Sequence, residues 1–182
     1  MKSVLDFKAR KGKGPKISMA TAYTHWEARL LAASPVDCVL VGDSVVTVVD
    51  GHDNTFSATP EIMARHTSAV ARGLGGTKFL VTDFPFLAAR KGIDFAVDCA
   101  ALLLRAGAHA VKIEGVDGHE EVIRHLVQSG VPVIGHLGLT PQSVNAFGGY
   151  KVQGRGPAAD PLLHQARAVE AAGAAGLVLE CV

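Results

Sequence analysis

Ala106-Gly-Ala-His-Ala-Val-Lys-Ile-Glu114 is the stretch that decides the fold, because it contains the end of a helix, a turn and a whole strand. Gly107 follows a run with helical spacing, and glycine tolerates the left-handed backbone that ends a helix. Ala110 to Glu114 is short and apolar, as buried strands are. A second stretch, Ala172-Gly-Ala-Ala-Gly-Leu-Val-Leu-Glu180, aligns with it without a gap. The pair indicates either an internal repeat or the small residues that any helix-turn-strand junction favours.

Strand-like and helix-like segments alternate along the whole chain. The predicted strands are roughly Ile17 to Tyr23, Val36 to Asp43, Lys78 to Asp83, Ala110 to Glu114, Val131 to His136 and Gly176 to Glu180. Helical spacing is found at Glu27 to Ala33, Pro60 to Leu74, Phe95 to Ala106, Glu120 to Gln128 and Pro161 to Ala172. Such alternation builds parallel strands with helical crossovers, and nearly continuous apolar strands suit a sheet covered on both faces. The sequence therefore predicts an α/β fold.

Five of the predicted strands carry an acidic or imidazole residue at or near their carboxyl ends: Asp43, Asp83, Glu114, His136 and Glu180. In α/β barrels the reactive side chains come from the carboxyl ends of different strands. We therefore expect these five residues to share one active-site rim.

Composition restricts the classes of function. The 182 residues are 48% hydrophobic and 19% charged, which indicates one domain with a substantial core. A net charge of +1 is too small to indicate binding to nucleic acid or to an anionic membrane. The first residues lack the apolar segment of a signal peptide, and the basic run Lys8 to Lys16 is interpreted as a solvated lead-in, so we expect a cytoplasmic protein. Cys38, Cys99 and Cys181 are scattered and odd in number, which predicts reduced core thiols.

Asp43 and Asp83 are the strongest candidate pair. Carboxylates from adjacent barrel strands can converge on one hard cation that prefers oxygen ligands, and magnesium (Mg2+) is the natural candidate. The alternative for each aspartate alone is a turn or a helix cap. Glu114, at the end of another strand, favours the metal interpretation.

Lys112 and Glu114 are two residues apart, so in a strand both point to the same face. A buried pair is costly unless the two charges are matched or bind a ligand. Lys112 would then hold a substrate carboxylate while Glu114 supports the metal, and the alternative is an interior ion pair that only packs.

Two further strand-end residues are candidates. Glu180 ends an apolar strand, where burial would raise its pKa and suit it as a general base, unless it is simply a solvated carboxylate. His136 could be a ligand, an acid or a hydrogen-bond partner of the substrate. A long glycine-rich segment, 138–156, follows His136 and is predicted to line or close over the site through Gln142, Asn145, Lys151, Gln153 and Arg155.

The chain resembles the ketopantoate hydroxymethyltransferase family over nearly its whole length. The motifs that carry the resemblance are Val41-Gly-Asp-Ser44, Gly51-His-Asp53, Asp83-Phe-Pro-Phe86, Val111-Lys-Ile-Glu-Gly115, Gly135-His-Leu-Gly-Leu-Thr-Pro-Gln-Ser-Val-Asn145, Phe147-Gly-Gly-Tyr-Lys-Val-Gln-Gly-Arg155 and Leu177-Val-Leu-Glu-Cys-Val182. The block from Gly135 to Arg155 is highly specific.

The resemblance implies a TIM-type (β/α)8 barrel that acts in pantothenate biosynthesis and usually forms a homodecamer. It implies transfer of a hydroxymethyl group from 5,10-methylenetetrahydrofolate to 3-methyl-2-oxobutanoate, giving 2-dehydropantoate through a magnesium-stabilised enolate. By motif, Asp43 and Asp83 would bind magnesium, with Glu114 contributing directly or through water. Ser44 and Lys112 would hold the 2-oxo acid beside the metal, and Glu180 would accept the proton.

The sequence departs from the family pattern in two respects. Thr24-His25 stands where the family commonly has an aspartate and an aromatic residue, a departure that would alter either the rim of the first strand or its oligomer contacts. The chain also has about six of the eight strands, so we expect a single barrel domain, residues 1–182, that is incomplete at its C-terminal end. Two alternatives stay open: a metal-dependent 2-oxo acid lyase of the phosphoenolpyruvate and isocitrate-lyase type, and an inactive fragment that oligomerises through open barrel edges.

Overall fold

The computed structural model describes residues 3–182. Six parallel strands form one sheet, and their order in the sheet is their order in the chain. The strands are β1 (Met19–Thr21), β2 (Cys38–Val41), β3 (Phe79–Asp83), β4 (Ala110–Glu114), β5 (Val133–Gly138) and β6 (Gly176–Glu180). This curled half-barrel confirms the predicted α/β barrel architecture.

The first helix precedes the first strand, and the other helices lie between the strands, with the longer ones covering the outer face of the sheet. The helices are α1 (Val4–Arg10), α2 (His25–Ala32), α3 (Val45–Val48), α4 (Pro60–Leu74), α5 (Ile93–Arg105), α6 (Glu120–Gln128), α7 (Val144–Phe147) and α8 (Ala159–Ala171). Neighbouring crossover helices contact each other in the sequence α2, α4, α5, α6 and α8. Across residues 3–182, no helix combines the length and the apolar character needed to cross a membrane.

Strand residues alternate between two cores. Val39, Leu80, Val111 and Val133 face the helices and belong to the main hydrophobic cluster. The alternate residues Cys38, Phe79, Val81, Ala110 and Ile134 form a second, smaller cluster on the inner face. Because side chains alternate along a strand, the next inner positions towards the carboxyl ends include Asp83, Lys112 and His136. The inner face is thus apolar at one end and polar at the other.

Helix α1 closes the apolar end of the inner face. Val4 and Phe7 pack against the inner cluster, and the Phe7 and Phe79 rings meet edge to face with centroids 5.2 Å apart. Residues 8–10 of the predicted lead-in belong to this helix, and Lys8, Ala9 and residues 11–16 are exposed, as the interpretation of a solvated segment requires. The helix itself was not predicted, because Val4 and Phe7 are three residues apart and form only one short apolar stripe beside several basic residues.

Most predicted segments occur with small changes at their ends. The helices at 60–74 and 120–128 and the strands at 110–114 and 176–180 have the predicted bounds. The first two strands are shorter than predicted, and the fifth lies two residues later. Gly107 and Gly173 have φ of 112° and 90° directly after a helix, as expected for residues that stop it. Thr24 has a local role, since its side chain and that of Glu27 cap α2 reciprocally.

Asp37 joins α1 to the start of the sheet. Its carboxylate accepts hydrogen bonds from the Ser18 backbone N–H at 2.9 Å and from Arg10 at 2.7 Å. The Ser18 backbone N–H, followed by the Arg10 guanidinium, lowers the pKa of Asp37 to about 2, although partial burial acts in the opposite direction.

We expect these bonds to make the stability of the protein depend on pH in acid. The folded-state pKa lies below the ordinary value of 3.8, so the stabilisation is present above about pH 4 and is lost as pH falls towards 2. Asp37→Asn should lower the melting temperature at pH 7 and flatten its decline between pH 4 and 2. Asp53→Asn, which alters an exposed loop carboxylate, is the control; an equal effect of both substitutions would contradict the role of Asp37.

Candidate active site

The strand register brings the polar residues of the inner face together at one rim. Asp83 pairs with Lys112 across β3 and β4, and Glu114 pairs with His136 across β4 and β5. Asp43, two residues beyond β2, lies beside Asp83, because its backbone N–H donates to Asp83 Oδ2 at 3.1 Å. Asp43, Asp83, Lys112 and His136 are all buried. Residues from four separate strand regions thus form a single polar cluster.

Lys112 lies at the centre of this cluster. Its ammonium Nζ is 3.0 Å from Asp83 Oδ1 and 3.0 Å from His136 Nδ1. Burial alone would lower the pKa of Lys112, but the carboxylates of Asp83 and Glu114 outweigh it and raise the pKa. Lys112 is therefore a cation at neutral pH, and its direct ion-pair partner is Asp83, not Glu114.

His136 is a neutral imidazole that links Lys112 to Glu180. Burial, followed by repulsion from Lys112, lowers the pKa of His136 to about 4. Because Nδ1 faces the Lys112 ammonium, Nδ1 accepts the hydrogen bond and the ring proton resides on Nε2. Nε2 lies 3.3 Å from Glu180 Oε2, a close approach that lacks the alignment of a full hydrogen bond. The histidine therefore presents an N–H group to the strand-end glutamate.

The cluster contains more acidic than basic groups. Burial first, and then the nearby Asp83 and Glu114 carboxylates, raise the pKa of Asp43 to about 8. Burial also raises the pKa of Glu114 to about 7, despite the opposing influence of Lys112. Three carboxylates thus face one lysine, and further positive charge would stabilise their ionised forms.

The sequence predicted Gln142 only as one of several residues in the glycine-rich segment 138–156. In the structure it connects three parts of the site. Its side-chain Nε2 donates to Asp43 Oδ2 and to the Phe84 carbonyl, each at 2.8 Å. Its backbone N–H donates to Glu114 Oε2 at 3.0 Å. Gln142 occupies a short 3-10 turn, Pro141–Ser143, directly after the β5 loop. The structure brings none of Lys151, Gln153 and Arg155 into hydrogen-bond contact with this cluster, within the part of the chain it describes.

Ser44 is held at the rim by a residue that the sequence did not single out. The Tyr23 hydroxyl and Ser44 Oγ are 2.8 Å apart, and the Tyr23 carbonyl contacts His66 Nδ1 at 2.8 Å. A Cβ on Gly42 would lie 2.8 Å from Ser44 Oγ, so only glycine lets this serine hydroxyl approach the backbone. Tyr23 lies two residues beyond β1, just as Asp43 lies two residues beyond β2, and this position was the available signal.

Two expectations about individual residues are wrong. The Glu180 side chain is 43% exposed, because β6 is an outer strand of the described sheet, whereas the Glu114 side chain at the equivalent position is 5% exposed. The expected burial of Glu180 is therefore wrong, and any role as a base depends on its position near His136. Cys181 is exposed, so only Cys38 and Cys99 are the core thiols that were predicted.

The donor set suits a hard divalent cation. Asp43 and Asp83 supply carboxylate oxygens side by side, and Asp83 Oδ1 is buried without an aligned hydrogen bond within residues 3–182. Its 3.0 Å distance to Lys112 is that of an ion pair whose hydrogen-bond angles are poor. Within these residues no three Asp, Glu, His or Cys side chains form a ready-made metal cage. A bound ion would therefore need water or substrate oxygens, and the magnesium assignment stays a prediction.

The fold and the rim define an α/β-barrel enzyme class in which buried carboxylates, a lysine and a histidine act at the carboxyl ends of the strands. Solved structures of this architecture match the chain. Phosphonopyruvate hydrolase matches with a TM-score of 0.75 and 13% identity, covering 100% of this chain and 64% of the other. A 2,3-dimethylmalate lyase of the PEP mutase/isocitrate lyase superfamily matches with a TM-score of 0.69 and 19% identity, covering 99% and 62%. At such identities the likeness shows the fold alone.

The chain belongs to the ketopantoate hydroxymethyltransferase family, whose model matches residues 1–182. It is 51% identical over 183 residues to the 3-methyl-2-oxobutanoate hydroxymethyltransferase of Bdellovibrio bacteriovorus, covering 100% of this chain and 69% of the relative. It is 52% identical over 179 residues to the enzyme of the same name from Legionella pneumophila strain Paris, covering 97% and 68%. The chain thus spans about two thirds of the length of these curated relatives. Its family is one of transferases, as the motifs predicted.

We expect Gln142→Leu to destabilise the protein. The substitution leaves Asp43 Oδ2 and the Phe84 carbonyl without their donor, and an unsatisfied buried acceptor costs about 1–3 kcal/mol. The free energy of unfolding in urea is the measurement. Gln153→Leu is the matched control, because the Gln153 side-chain amide donates to the nearby Lys151 carbonyl and, within residues 3–182, makes no hydrogen bond to the cluster. Equal stabilities of the two variants would show that Gln142 does not secure the site.

Proposed function

We propose that this site transfers a hydroxymethyl group from 5,10-methylenetetrahydrofolate to 3-methyl-2-oxobutanoate, giving 2-dehydropantoate in pantothenate biosynthesis. The observation that carries the proposal is the Lys112 cation buried among carboxylates within a chain of this family. A buried lysine beside two aspartates suits a small anion that brings its own oxygen ligands to a metal. A 2-oxo acid has this chemistry.

Each residue of the cluster has a distinct role in the proposed reaction. Asp43 and Asp83 would hold magnesium, with Glu114 contributing directly or through water, and Ser44 and Lys112 would hold the carboxylate of the 2-oxo acid. The bound magnesium would act as a Lewis acid that stabilises negative charge on the keto oxygen. Gln142 keeps the Asp43 carboxylate and Glu114 in place while the substrate binds.

Glu180 is the proposed base. Its carboxylate would take the proton from C3 of the acid, and the electrons of the broken C–H bond would form the enolate. The N–H group of His136, 3.3 Å from Glu180 Oε2, would orient the carboxylate for this step. The methylene carbon is joined to two folate nitrogens, and both of these C–N bonds would break: the enolate carbon would replace one nitrogen and the oxygen of a water molecule would replace the other. The proton taken by Glu180 and one proton of this water would go to the two nitrogens. The products would be 2-dehydropantoate and tetrahydrofolate.

The lyase alternative has weaker support. The solved lyase and hydrolase structures share the fold at 13–19% identity, whereas the named transferases are about half identical along nearly the whole chain. The block that contains Gln142 is among the transferase motifs, and Gln142 contacts two of the proposed metal-site carboxylates. Product analysis with and without the folate donor separates the two reactions.

Magnesium binding should strengthen as pH rises. Without the metal the pKa of Asp43 is about 8, so at pH 6 this carboxyl group must lose a proton before it can bind the ion. We expect the dissociation constant, measured by calorimetry, to fall roughly tenfold or more between pH 6 and 8.5, with proton release at the lower pH. Asp43→Asn should remove most of the binding and reduce the pH dependence to the part that Glu114, with a pKa of about 7, contributes, whereas Asp53→Asn should change neither. Affinity that is independent of pH in the unmodified chain would argue against this carboxylate as a ligand.

The proposed chemistry can be tested before any donor is added. In heavy water with magnesium, NMR should show exchange of the C3 proton of 3-methyl-2-oxobutanoate. Glu180→Gln should slow this exchange by about 10²–10⁴-fold, the usual contribution of a general base. Glu170→Gln on the exposed side of α8 is the control. Exchange without metal, or exchange at the original rate in Glu180→Gln, would reject the mechanism.

A further inference from the structure

The backbone of Tyr23 is held by side chains from two helices. The N–H of the preceding residue, Ala22, still donates to the Leu40 carbonyl across β1 and β2 at 3.0 Å. The Tyr23 N–H instead donates to Glu27 Oε2 of α2 at 2.8 Å, and the Tyr23 carbonyl is 2.8 Å from His66 Nδ1 of α4. Because a carbonyl can only accept, His66 carries a proton on Nδ1. Tyr23 is thus fixed in position beyond the end of its strand.

The two helices that hold the tyrosine are closely packed. A Cβ on Gly73 of α4 would lie 2.5 Å from the His25 carbonyl oxygen of α2, so only glycine permits this approach. On α2, Glu27 Oε2 also accepts hydrogen bonds from the Thr24 N–H at 2.9 Å and from Thr24 Oγ1 at 3.0 Å. The carboxylate that holds the tyrosine is therefore itself held in the cap of α2.

Ser44 has a fixed backbone and one rotatable hydroxyl. Its carbonyl accepts from the Thr47 N–H at 3.0 Å, the Val48 N–H at 2.8 Å and the Thr47 hydroxyl at 2.8 Å. A serine side chain can nevertheless occupy three staggered positions about χ1. The Tyr23 hydroxyl, 2.8 Å from Ser44 Oγ, stabilises one of the three.

The stabilised position lies beside the carboxylate cluster. A Cβ on Gly42 would be 2.8 Å from Ser44 Oγ and 3.6 Å from Asp83 Oδ2, so the two oxygens flank the same small space. The phenol of Tyr23 is a better donor than a serine hydroxyl because it is the stronger acid. With a substrate carboxylate present, Ser44 would accept from Tyr23 and donate to the substrate. Hydrogen bonds aligned in this way polarise and strengthen one another.

We propose that Tyr23 is a positioning residue that aims the Ser44 hydroxyl at the carboxylate of the 2-oxo acid. Glu27 and His66 fix the tyrosine from α2 and α4, so both act through Tyr23. The inference rests on the proposed function, which assigns Ser44 to the substrate carboxylate. It extends the site from the rim of the sheet to the two helices outside it.

The dissociation constant of 3-methyl-2-oxobutanoate, measured by calorimetry on the 182-residue chain with magnesium, tests this role. Ser44→Ala should raise it about tenfold or more, because a hydrogen bond to a charged group is lost. Tyr23→Phe keeps the ring and should raise it about fivefold, through loss of one neutral hydrogen bond. The double variant should bind as Ser44→Ala does, because the tyrosine then has no hydroxyl to aim. The rate of C3 proton exchange at saturating acid should stay within about twofold in Tyr23→Phe, as expected for an effect on binding alone.

A second pair of variants tests the hold on Tyr23 from α4. His66→Asn keeps a side-chain N–H close to the place of Nδ1, whereas His66→Leu removes this donor. We expect His66→Leu to raise the dissociation constant about threefold and His66→Asn to leave it near its original value. His164→Leu, which alters an exposed histidine on α8, is the matched control and should have no effect.

The outcomes separate this role from the proposed function. Binding of the acid without C3 proton exchange in the unmodified chain would overturn the proposed function and leave the affinities to decide the role of Tyr23. Failure of the unmodified chain to bind the acid would overturn both. Unchanged affinity in Tyr23→Phe, or an equal loss from this substitution with and without the Ser44 hydroxyl, would overturn the positioning role alone. His66→Asn binding as weakly as His66→Leu would overturn the part assigned to His66.

Discussion

The buried ammonium of Lys112 is the interaction on which the rest of the site depends. A cation this deep is tolerated only with close counter-charges, and Asp83 Oδ1 at 3.0 Å provides one. The same ammonium contacts His136 Nδ1 at 3.0 Å and adds to the effect of burial, which is the larger cause of the lowered pKa of His136. Lys112 thus fixes which ring nitrogen of His136 carries the proton and places that N–H on the side of Glu180.

This arrangement is possible because the inner face of the sheet is divided along its length. At the amino ends of the strands, Phe79, Ala110 and Ile134 pack with α1 into a small apolar cluster. Polar residues follow two positions further along β4 and β5, at Lys112 and His136, and four positions further along β3, at Asp83. Because the apolar end packs the strands together, a group with more acidic than basic side chains can persist at the other end.

Local patterns predicted the elements well where they were long or strongly apolar, as in Pro60–Leu74 and Ala110–Glu114. They failed for α1, whose seven residues contain only one short apolar stripe, and for Glu180, whose exposure depends on the position of β6 at the side of the sheet. Glu114 and Glu180 lie at the same position relative to the preceding glycine, yet one side chain is 5% exposed and the other 43%. The burial of a strand residue depends on which strands lie beside it, and the sequence of a single segment does not contain that information.

The sequence by itself determined the alternation of strand and helix and the placement of Asp43, Asp83, Glu114, His136 and Glu180 at strand ends, because hydrophobic periodicity and chain direction are local. Only the tertiary structure decided that Lys112 pairs with Asp83 instead of Glu114, and that Gln142 contacts Asp43, 99 residues away. Such pairings follow from strand register and loop path. These bring together groups whose separation along the chain has no bearing on their distance in space.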